Sequence, residues 1–404
     1  MIIIDIIIIA LFAYLSFNVL YLMAFAFAGI FYKEYPYQTV NNKCHIAILI
    51  PVYREDKIII QTVKNVLSQN YPDNKFDVVV IADQLKEQTI KNLASFPIRL
   101  VQVSFEKSTK AKSIKCALKQ IPNAFDILMI LDSDNLLGQD CLEKVNHAFQ
   151  RGFKVIQLHR TAKNRNTPTA ILDAASEEIN NHIFRKGHRA VGLSSALIGS
   201  GMAFDYPLFK KIMMESDIED NPGEDREIYL ELLKKNYVCE YIDSAYIYDE
   251  KVQSGKVLEK QRTRWLSAQL QYARHFWISD FLRTFTYNIH YLDYAIQTLL
   301  LPRILLLMAT FALLALSVFI NEIFHINLVI SSGLCLLLFV GSILSLGISA
   351  YGHLSLRDLK MAMINLPQTS WSFIKALTHS SSRQRDFIHT PKEFINERLE
   401  LDQH

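Results

Sequence analysis

Residues Ile127-Leu128-Met129-Ile130-Leu131-Asp132-Ser133-Asp134-Asn135 decide the fold. Five apolar residues run straight into two carboxylates one residue apart. Asn123 and Asp126 precede the run, and Asn135 and Gly138 follow it. Such a run between turn-forming residues reads as a buried strand that ends at the aspartates. Side chains alternate along a strand, so Asp132 and Asp134 can project to one side. Close carboxylates repel unless a cation lies between them, and hard oxygen ligands suit Mg²⁺ or Mn²⁺. A cation at the carboxyl end of a strand is placed to hold a diphosphate. Taken alone, so short a motif is also what a solvated polar turn looks like.

Toward the N-terminus the pattern repeats. Ile46 to Val52, Phe76 to Asp83 and Ile98 to Val103 read as strands. Helical spacing separates them at Ile58, Ile59, Val63, Val66 and Leu67, and again at Ile114, Ala117 and Leu118. Alternating strand and helix predict an α/β domain over residues 45–250, with a parallel sheet covered by helices. Ligands of such sheets bind beyond the carboxyl ends of the strands. Asp83 ends its strand as Asp132 does, which favours one shared site over two coincidental turns.

Toward the C-terminus, residues 155–158 predict another strand. Ile171, Leu172, Ala175, Ile179 and Ile183 predict one face of a helix that carries Glu177 and Glu178 elsewhere. Gly199 and Gly201 lie inside the apolar stretch Leu197 to Phe204. Glycine there either permits close backbone approach to a ligand or marks a bulged strand. Gly223-Glu224-Asp225-Arg226 opens a helical pattern at Ile228, Leu230, Leu232 and Leu233. Acidic residues commonly start helices, which accounts for one of these carboxylates more easily than for two. Residues 257–288 read as helical and rich in Arg and aromatic residues. On that helix Gln261, Arg264 and Trp265 share a face. A helix lying on a membrane surface would carry the same residue types.

Half of the 404 residues are hydrophobic and mean hydropathy is +0.12. That lies between a soluble enzyme and a multi-span membrane protein. A net charge of +3 gives no nucleic-acid footprint. The cysteines form no C-x-x-C pair and read as reduced thiols, not a disulfide framework or a zinc site. Residues 1–32 are apolar with Asp5 the only charge, long enough to span a bilayer. They lack the basic start and short apolar core of a cleaved signal, so an uncleaved anchor is expected. Residues 291–320, interrupted by Pro302-Arg303, and 326–350 predict two more spans. The link between them holds no Lys or Arg, whereas both types abound before the pair and Arg357 and Lys360 follow it. The positive-inside rule then places the α/β domain and residues 351–404 on the cytoplasmic side of a cell membrane crossed three times. Residues 354–380 read as amphipathic surface helices with Trp371 and Phe373, ahead of a polar tail.

Asp83, then Asp132-Ser133-Asp134, then Glu224-Asp225, then Gln261-Arg262-Thr263-Arg264-Trp265 stand in this order. With these motifs the chain resembles a membrane-integrated family 2 glycosyltransferase, the group of cellulose synthase, hyaluronan synthase and ceramide glucosyltransferase. The resemblance covers Ile46 to about Trp277. It implies a GT-A fold inserted between one N-terminal and two C-terminal transmembrane helices, with residues 251–290 as interfacial helices. It also implies inverting transfer of a sugar from a nucleoside diphosphate donor, UDP-linked, to an acceptor at the membrane.

By that resemblance Pro51, Tyr53 and Glu55 meet the nucleotide and Asp83 contacts the nucleoside. Lys110 belongs to the same half, with Lys112 as the competing alignment. Asp132 and Asp134 hold the donor, with Mg²⁺ or Mn²⁺ mainly on Asp134, and Arg264 adds charge at the phosphates. Asp225 is the general base. Gly201, Glu224, Gln261 and Trp265 face the acceptor. Gly223 before the acidic pair is closer to the hyaluronan synthase form than to the threonine of cellulose synthases. Phe387-Ile388-His389-Thr390-Pro391-Lys392 is similar to a gating loop, with His389 in place of valine; a solvated tail is the other reading. The acceptor expected is a growing capsule or exopolysaccharide chain. The alternatives are a single transfer to a lipid, as in ceramide glucosyltransferase, and an inactive scaffold subunit. Three spans are fewer than synthases that thread their own polymer carry, so export would fall to a partner.

Overall fold

The computed structural model describes residues 2–37, 40–219, 223–324, 330–355, 357–358 and 360–361. The chain opens with α1 (Ile2–Ile30), then β1 (Ile46–Tyr53), α2 (Ile59–Leu67), β2 (Phe76–Asp83), α3 (Glu87–Leu93), β3 (Arg99–Val103) and α4 (Lys110–Gln120). Next come β4 (Ile127–Ile130), β5 (Leu136–Leu137), α5 (Cys141–Gln150), β6 (Val155–Ala162) and α6 (Pro168–Asn180). A π-helical stretch, Asn181–Gly187, carries α6 into the short α7 (His188–Ala190). Then follow β7 (Met202–Asp205), α8 (Tyr206–Glu215), α9 (Glu224–Lys234), β8 (Glu240–Asp249) and α10 (Gly255–Arg274). A second π-helical stretch, His275–Ser279, leads to α11 (Phe281–Thr284), α12 (Ile289–Gln297), α13 (Arg303–Phe324) and α14 (Ser332–Ala350).

The strands form one sheet in the order β3-β2-β1-β4-β7-β6-β8-β5. Alternation along β1 splits its side chains between two cores. Ala47 and Leu49 join the cluster under α4, α8 and α9. Ile46, Ile48, Ile50 and Val52 join the cluster under α2 and α5. Each fully buried Leu, Ile or Val side chain among these stabilises the fold by about 1.5–3 kcal/mol.

The sheet is mixed, which corrects the parallel sheet expected from the alternation. The β1–β2, β1–β4 and β2–β3 pairs are parallel, but β7 runs antiparallel to both β4 and β6. The Gly201 N–H donates to the Ile130 carbonyl at 2.9 Å. The chain therefore enters β7 at the carboxyl end of β4 and runs backwards beside it, needing no crossover. Periodicity marks strands without marking their direction.

Glu177 and Glu178 of α6 are buried. That helix is covered by β6, the π-helical stretch and α14, and the carboxylates meet buried cations there. Arg160 donates to Glu177 at 2.8 Å and the His159 ring bonds Glu178 at 3.0 Å. The helix expected from residue 291 is broken before Pro302. Tyr291 and Ala295 of α12 lie in the soluble core with α9, and the long apolar helix starts only at Arg303. Proline lacks an N–H and disfavours helix in the residue before it. The Leu301 N–H goes instead to Asn18 Oδ1 at 2.7 Å.

Among the described residues, three helices are long and apolar enough to cross a membrane: Asp5–Ile30, Arg303–Ile320 and Ser332–Ala350. Leu15, Val19 and Leu22 of α1 pack with Leu306 and Leu313 of α13 and with Cys335 and Leu338 of α14. The C-terminal half of α1 is fastened to the α/β domain. The Tyr21 hydroxyl donates to Asp293 at 2.7 Å, Phe25 stacks on the His188 ring at 3.8 Å, and the Tyr32 hydroxyl donates to the Tyr241 carbonyl at 2.5 Å. Trp371, Phe373 and the Phe387 to Lys392 stretch lie outside the described residues.

Candidate active site

Tyr53 pairs with Asp83 in the parallel register, so β1 and β2 end side by side. The next residues, Arg54 and Gln84, both take left-handed backbone, with φ of 58° and 55°. Such φ values are uncommon outside glycine, and here contacts hold them. The Arg54 N–H donates to the Asp83 carbonyl at 3.2 Å, and Arg54 Nε donates to Gln84 Oε1 at 2.8 Å. The Arg54 guanidinium also lies 5.0 Å from the centre of the Tyr53 ring. Beneath this pair Asp83 is buried, and neither of its carboxylate oxygens has a partner in hydrogen-bond geometry. Burial raises its pKa, opposed by Ser108 and Arg54. A buried carboxylate with Ser108 as its nearby hydroxyl and no bond in full geometry suits a ligand N–H or hydroxyl. Pro51 lies within β1 and Glu55 in the loop after it, at the same sheet edge.

The turn after β4 is closed by Asn135 N–H to the Asp132 carbonyl at 3.1 Å. Asp132 stays partly exposed while Asp134 is buried. Thr109 caps α4 through the Lys112 N–H, which sends Lys110 inward from the first turn. Lys110 Nζ donates to Asp132 Oδ1 at 2.5 Å and to the Gly199 carbonyl at 2.6 Å, and lies 3.8 Å from Glu224 Oε1. Burial lowers the Lys110 pKa, but Asp132 and Glu224 more than reverse this, so the net shift is upward. Of the two lysines considered from sequence, Lys110 reaches the carboxylates. Lys112 donates to the Lys107 carbonyl at 3.3 Å.

The glycine loop closes the opposite side. Gly199 and Gly201 have φ of 82° and 65°, a region that only glycine enters freely. A Cβ on Gly201 would strike Ile247, and one on Gly199 would lie 3.5 Å from Asp225 Oδ2. Gln157 orients this loop from below, accepting the Ile198 N–H at 3.1 Å and donating to the Ser200 carbonyl at 2.9 Å.

Glu224 and Asp225 start α9, as helix-start chemistry predicts, yet they do different things. Asp225 Oδ1 accepts the next N–H, that of Arg226, at 2.9 Å. Glu224 turns into the site, where burial and then the Asp225 charge push its pKa up to about 7, opposed by Lys110. Arg264 of α10 faces this pair. Burial lowers its pKa, with Glu224 and Asp225 opposing. Gln261 keeps a buried Oε1 without a hydrogen-bond partner. The Arg262 guanidinium lies 4.8 Å from the centre of the Trp265 ring and donates to Asp173 of α6 at 2.9 Å.

Lys110 thus brings together Asp132, the glycine loop and Glu224, with Asp225 and Arg264 beyond. Asp83 sits two strands from β4, at the end of β2. Several residues at the site were not singled out from sequence: Asn135, Gln157, Ser200, Arg262 and Asp249. Asp249 carried a usable signal, since it ends β8 as Asp83 ends β2. The others give no local sign, because their roles depend on partners far along the chain.

A divalent cation fits the donor set, which offers carboxylate oxygens and no thiolate. Among the described residues, no group of three or more His, Cys, Asp or Glu side chains is placed to hold a metal ion. A cation on Asp134 would therefore take its other ligands from a bound diphosphate and water, the ordinary arrangement for Mg²⁺.

Residues 43–268 match the description "Glycosyltransferase like family 2". Among curated proteins, the chain is 23% identical over 238 residues to the probable glycosyltransferase YdaM of Bacillus subtilis, covering 54% of each. It is 24% identical over 101 residues to the poly(ribitol-phosphate) beta-N-acetylglucosaminyltransferase TarS of Staphylococcus aureus, covering 24% of this chain and 17% of that one. The chain thus matches about half the length of the first relative and less of the second. Among solved structures, the mannosyltransferase PcManGT of Pyrobaculum calidifontis, in complex with GDP-Man and Mn²⁺, has a TM-score of 0.58 at 17% identity, covering 93% of this chain and 98% of that one. The fold is GT-A-like, and because the family match takes in more than half of the residues, the chain belongs to glycosyltransferase family 2.

Proposed function

We propose that this glycosyltransferase moves a sugar, with inversion, from a UDP-linked donor to a growing polysaccharide at the inner face of a cell membrane. The observation that carries the reading is the position of Lys110, which bonds Asp132 and the Gly199 carbonyl and approaches Glu224. A donor site and an acceptor site that share a wall are what a direct displacement needs. Three apolar helices and the α/β domain fastened to α1 support work at the bilayer.

In this reading Asp83 accepts from the nucleoside, with Pro51, Tyr53 and Glu55 around it. Asp132 and Asp134 orient the diphosphate, and Asp134 would hold the Mg²⁺ or Mn²⁺. When bound, that cation supplies charge neutralisation at the leaving diphosphate. The mannosyltransferase neighbour, in complex with GDP-Man and Mn²⁺, supports a divalent cation without bearing on which residue holds it. Lys110 keeps Asp132 in place, and Arg264 adds positive charge on the side of the acidic pair. Asp225 removes the acceptor proton as the hydroxyl attacks the anomeric carbon. Gly201 lets the loop approach, while Glu224, Gln261 and Trp265 bind the acceptor. Gln261 brings an unpaired buried oxygen to that task.

The test is turnover of UDP-sugars and GDP-sugars by the full chain in membranes, with mass analysis of the product. A ladder of additions supports polymer extension. One added sugar on lipid establishes the alternative, a ceramide glucosyltransferase-like transfer. No turnover of any donor, with the folded protein verified, would leave the scaffold reading standing.

A further inference from the structure

Asn135 directly follows the Asp132-Ser133-Asp134 turn and is wholly buried. Its amide has one carbonyl oxygen and two N–H donors, and all three groups are engaged. The carbonyl accepts the Ser200 hydroxyl at 2.5 Å. The same Ser200 oxygen accepts the Asp132 N–H at 2.9 Å. The amide nitrogen donates to Asp134 Oδ1 at 3.3 Å and to Asp249 Oδ1 at 3.2 Å. The other oxygen of Asp249 accepts from Lys251 Nζ at 2.8 Å, and Lys251 is itself buried. One amide therefore touches the donor turn, the glycine loop and the end of β8. Its orientation is determined by its partners: flipped, it would aim lone pairs at two carboxylates and donors at a hydroxyl already engaged.

We propose that Asn135 is a positioning residue. It holds the Asp134 carboxylate in the orientation that receives a divalent cation, and through Ser200 it ties that carboxylate to the glycine loop on the acceptor side. Asp249 is the second carboxylate held by the same amide, and Lys251 bonds its other oxygen. The inference rests on the reading that Asp134 meets the cation of the donor diphosphate. Groups that orient a metal-binding carboxylate are worth about 10–100-fold in metal affinity or activity.

The test uses the full chain in detergent with Mn²⁺ as the probe. Free Mn²⁺ is followed by electron paramagnetic resonance at saturating UDP, and again at saturating GDP. Asn135→Ala should weaken Mn²⁺ binding about 10–100-fold. Ser200→Ala leaves both amide donors in place, so it should lower kcat with Mn²⁺ binding close to wild type. Should Asn135→Ala fail to fold, Asp249→Asn, which removes one of the two charges held by the amide, carries the same expected loss of Mn²⁺ affinity. Wild-type Mn²⁺ affinity in Asn135→Ala, or in Asp249→Asn if that variant replaces it, overturns the positioning role. A Ser200→Ala protein with wild-type kcat overturns the coupling. Asp134→Asn separates the two levels of argument: if it binds Mn²⁺ as wild type does, the reading of the donor site fails, and not merely the part given to Asn135.

Discussion

Lys110 Nζ and Asp132 Oδ1 stand 2.5 Å apart, with the two side chains 19% and 35% exposed. The pair joins the first turn of α4 to the turn after β4, so the lysine is as much a part of the candidate site as the aspartate. It also sets a positive charge against Asp132. Lys110→Met should lower kcat/KM by about 10²-fold, the usual scale for losing one aimed donor at a charged site. Lys110→Arg should recover part of that loss. Steady-state kinetics in the donor checks both, and an unchanged Lys110→Met enzyme would remove the lysine from the site.

Asp225→Asn should cut kcat by about 10²–10⁴-fold, as removal of a positioned base does. Donor binding, measured by calorimetry with UDP, should stay near wild type. A parallel loss of binding and turnover would mean that the residue only starts α9.

Glu224 gives a pH signature. Its carboxyl is raised from its ordinary value to about 7 by burial and by Asp225, so the folded protein holds a proton that the unfolded chain has lost. The stability it contributes is therefore full below about pH 4.5 and is lost as pH rises through about 7. Melting temperature measured from pH 4 to 8 should carry that fall in the wild type, and Glu224→Gln should flatten it.

His159 gives the second pH signature, at higher pH. Burial lowers its pKa, but the bonds to Asp243 and Glu178 outweigh burial and raise it to about 9. Folded-state protonation above the unfolded value means stability that is full below about pH 6.5 and lost as pH rises through about 9. His159→Gln should lower the melting temperature at neutral pH and reduce its decline toward pH 10.

Gly187 sets how closely α1 packs against the π-helical stretch Asn181–Gly187. Its Cα faces the Phe25 carbonyl of α1 so closely that a Cβ would overlap it. Gly187→Val should destabilise this contact by about 1–3 kcal/mol, the range for overpacking. Faster proteolysis between residues 30 and 46 would report the loosened α1; unchanged cleavage would show that the helices part without cost.

Chelation by EDTA should abolish transfer, and added Mn²⁺ or Mg²⁺ should restore it. Activity that survives chelation would remove the cation from Asp134. The Asp134→Asn enzyme should need more cation for the same rate, because one charged ligand has gone.

Much of the site was legible as residue types in order. Asp83 and Asp132 could be read as strand ends because apolar runs stop at them. The acidic pair and Arg264 could be named but not oriented. Both carboxylates start α9, yet only Glu224 turns toward Lys110, and helix-start preference alone does not distinguish them. The burial of the α6 carboxylates was not legible, because an apolar stripe says nothing of a second covering by β6 and α14. Asn135 was visible only as a turn residue.

Residue order and periodicity alone marked β1 to β4 and β6, the helices α2, α4, α6, α9 and α10, three apolar stretches long enough to enter a bilayer, and Asp83 and Asp132 as carboxylates at strand ends. These are local properties, set by side-chain alternation and solvation over a few residues. Tertiary structure decided the direction of β7, the choice of Lys110 over Lys112, the inward turn of Glu224 and the use of Asn135 and Asp249. Each of those depends on partners 22 to 114 residues away. Contacts at such separations are made by the packed fold and leave no period in the chain.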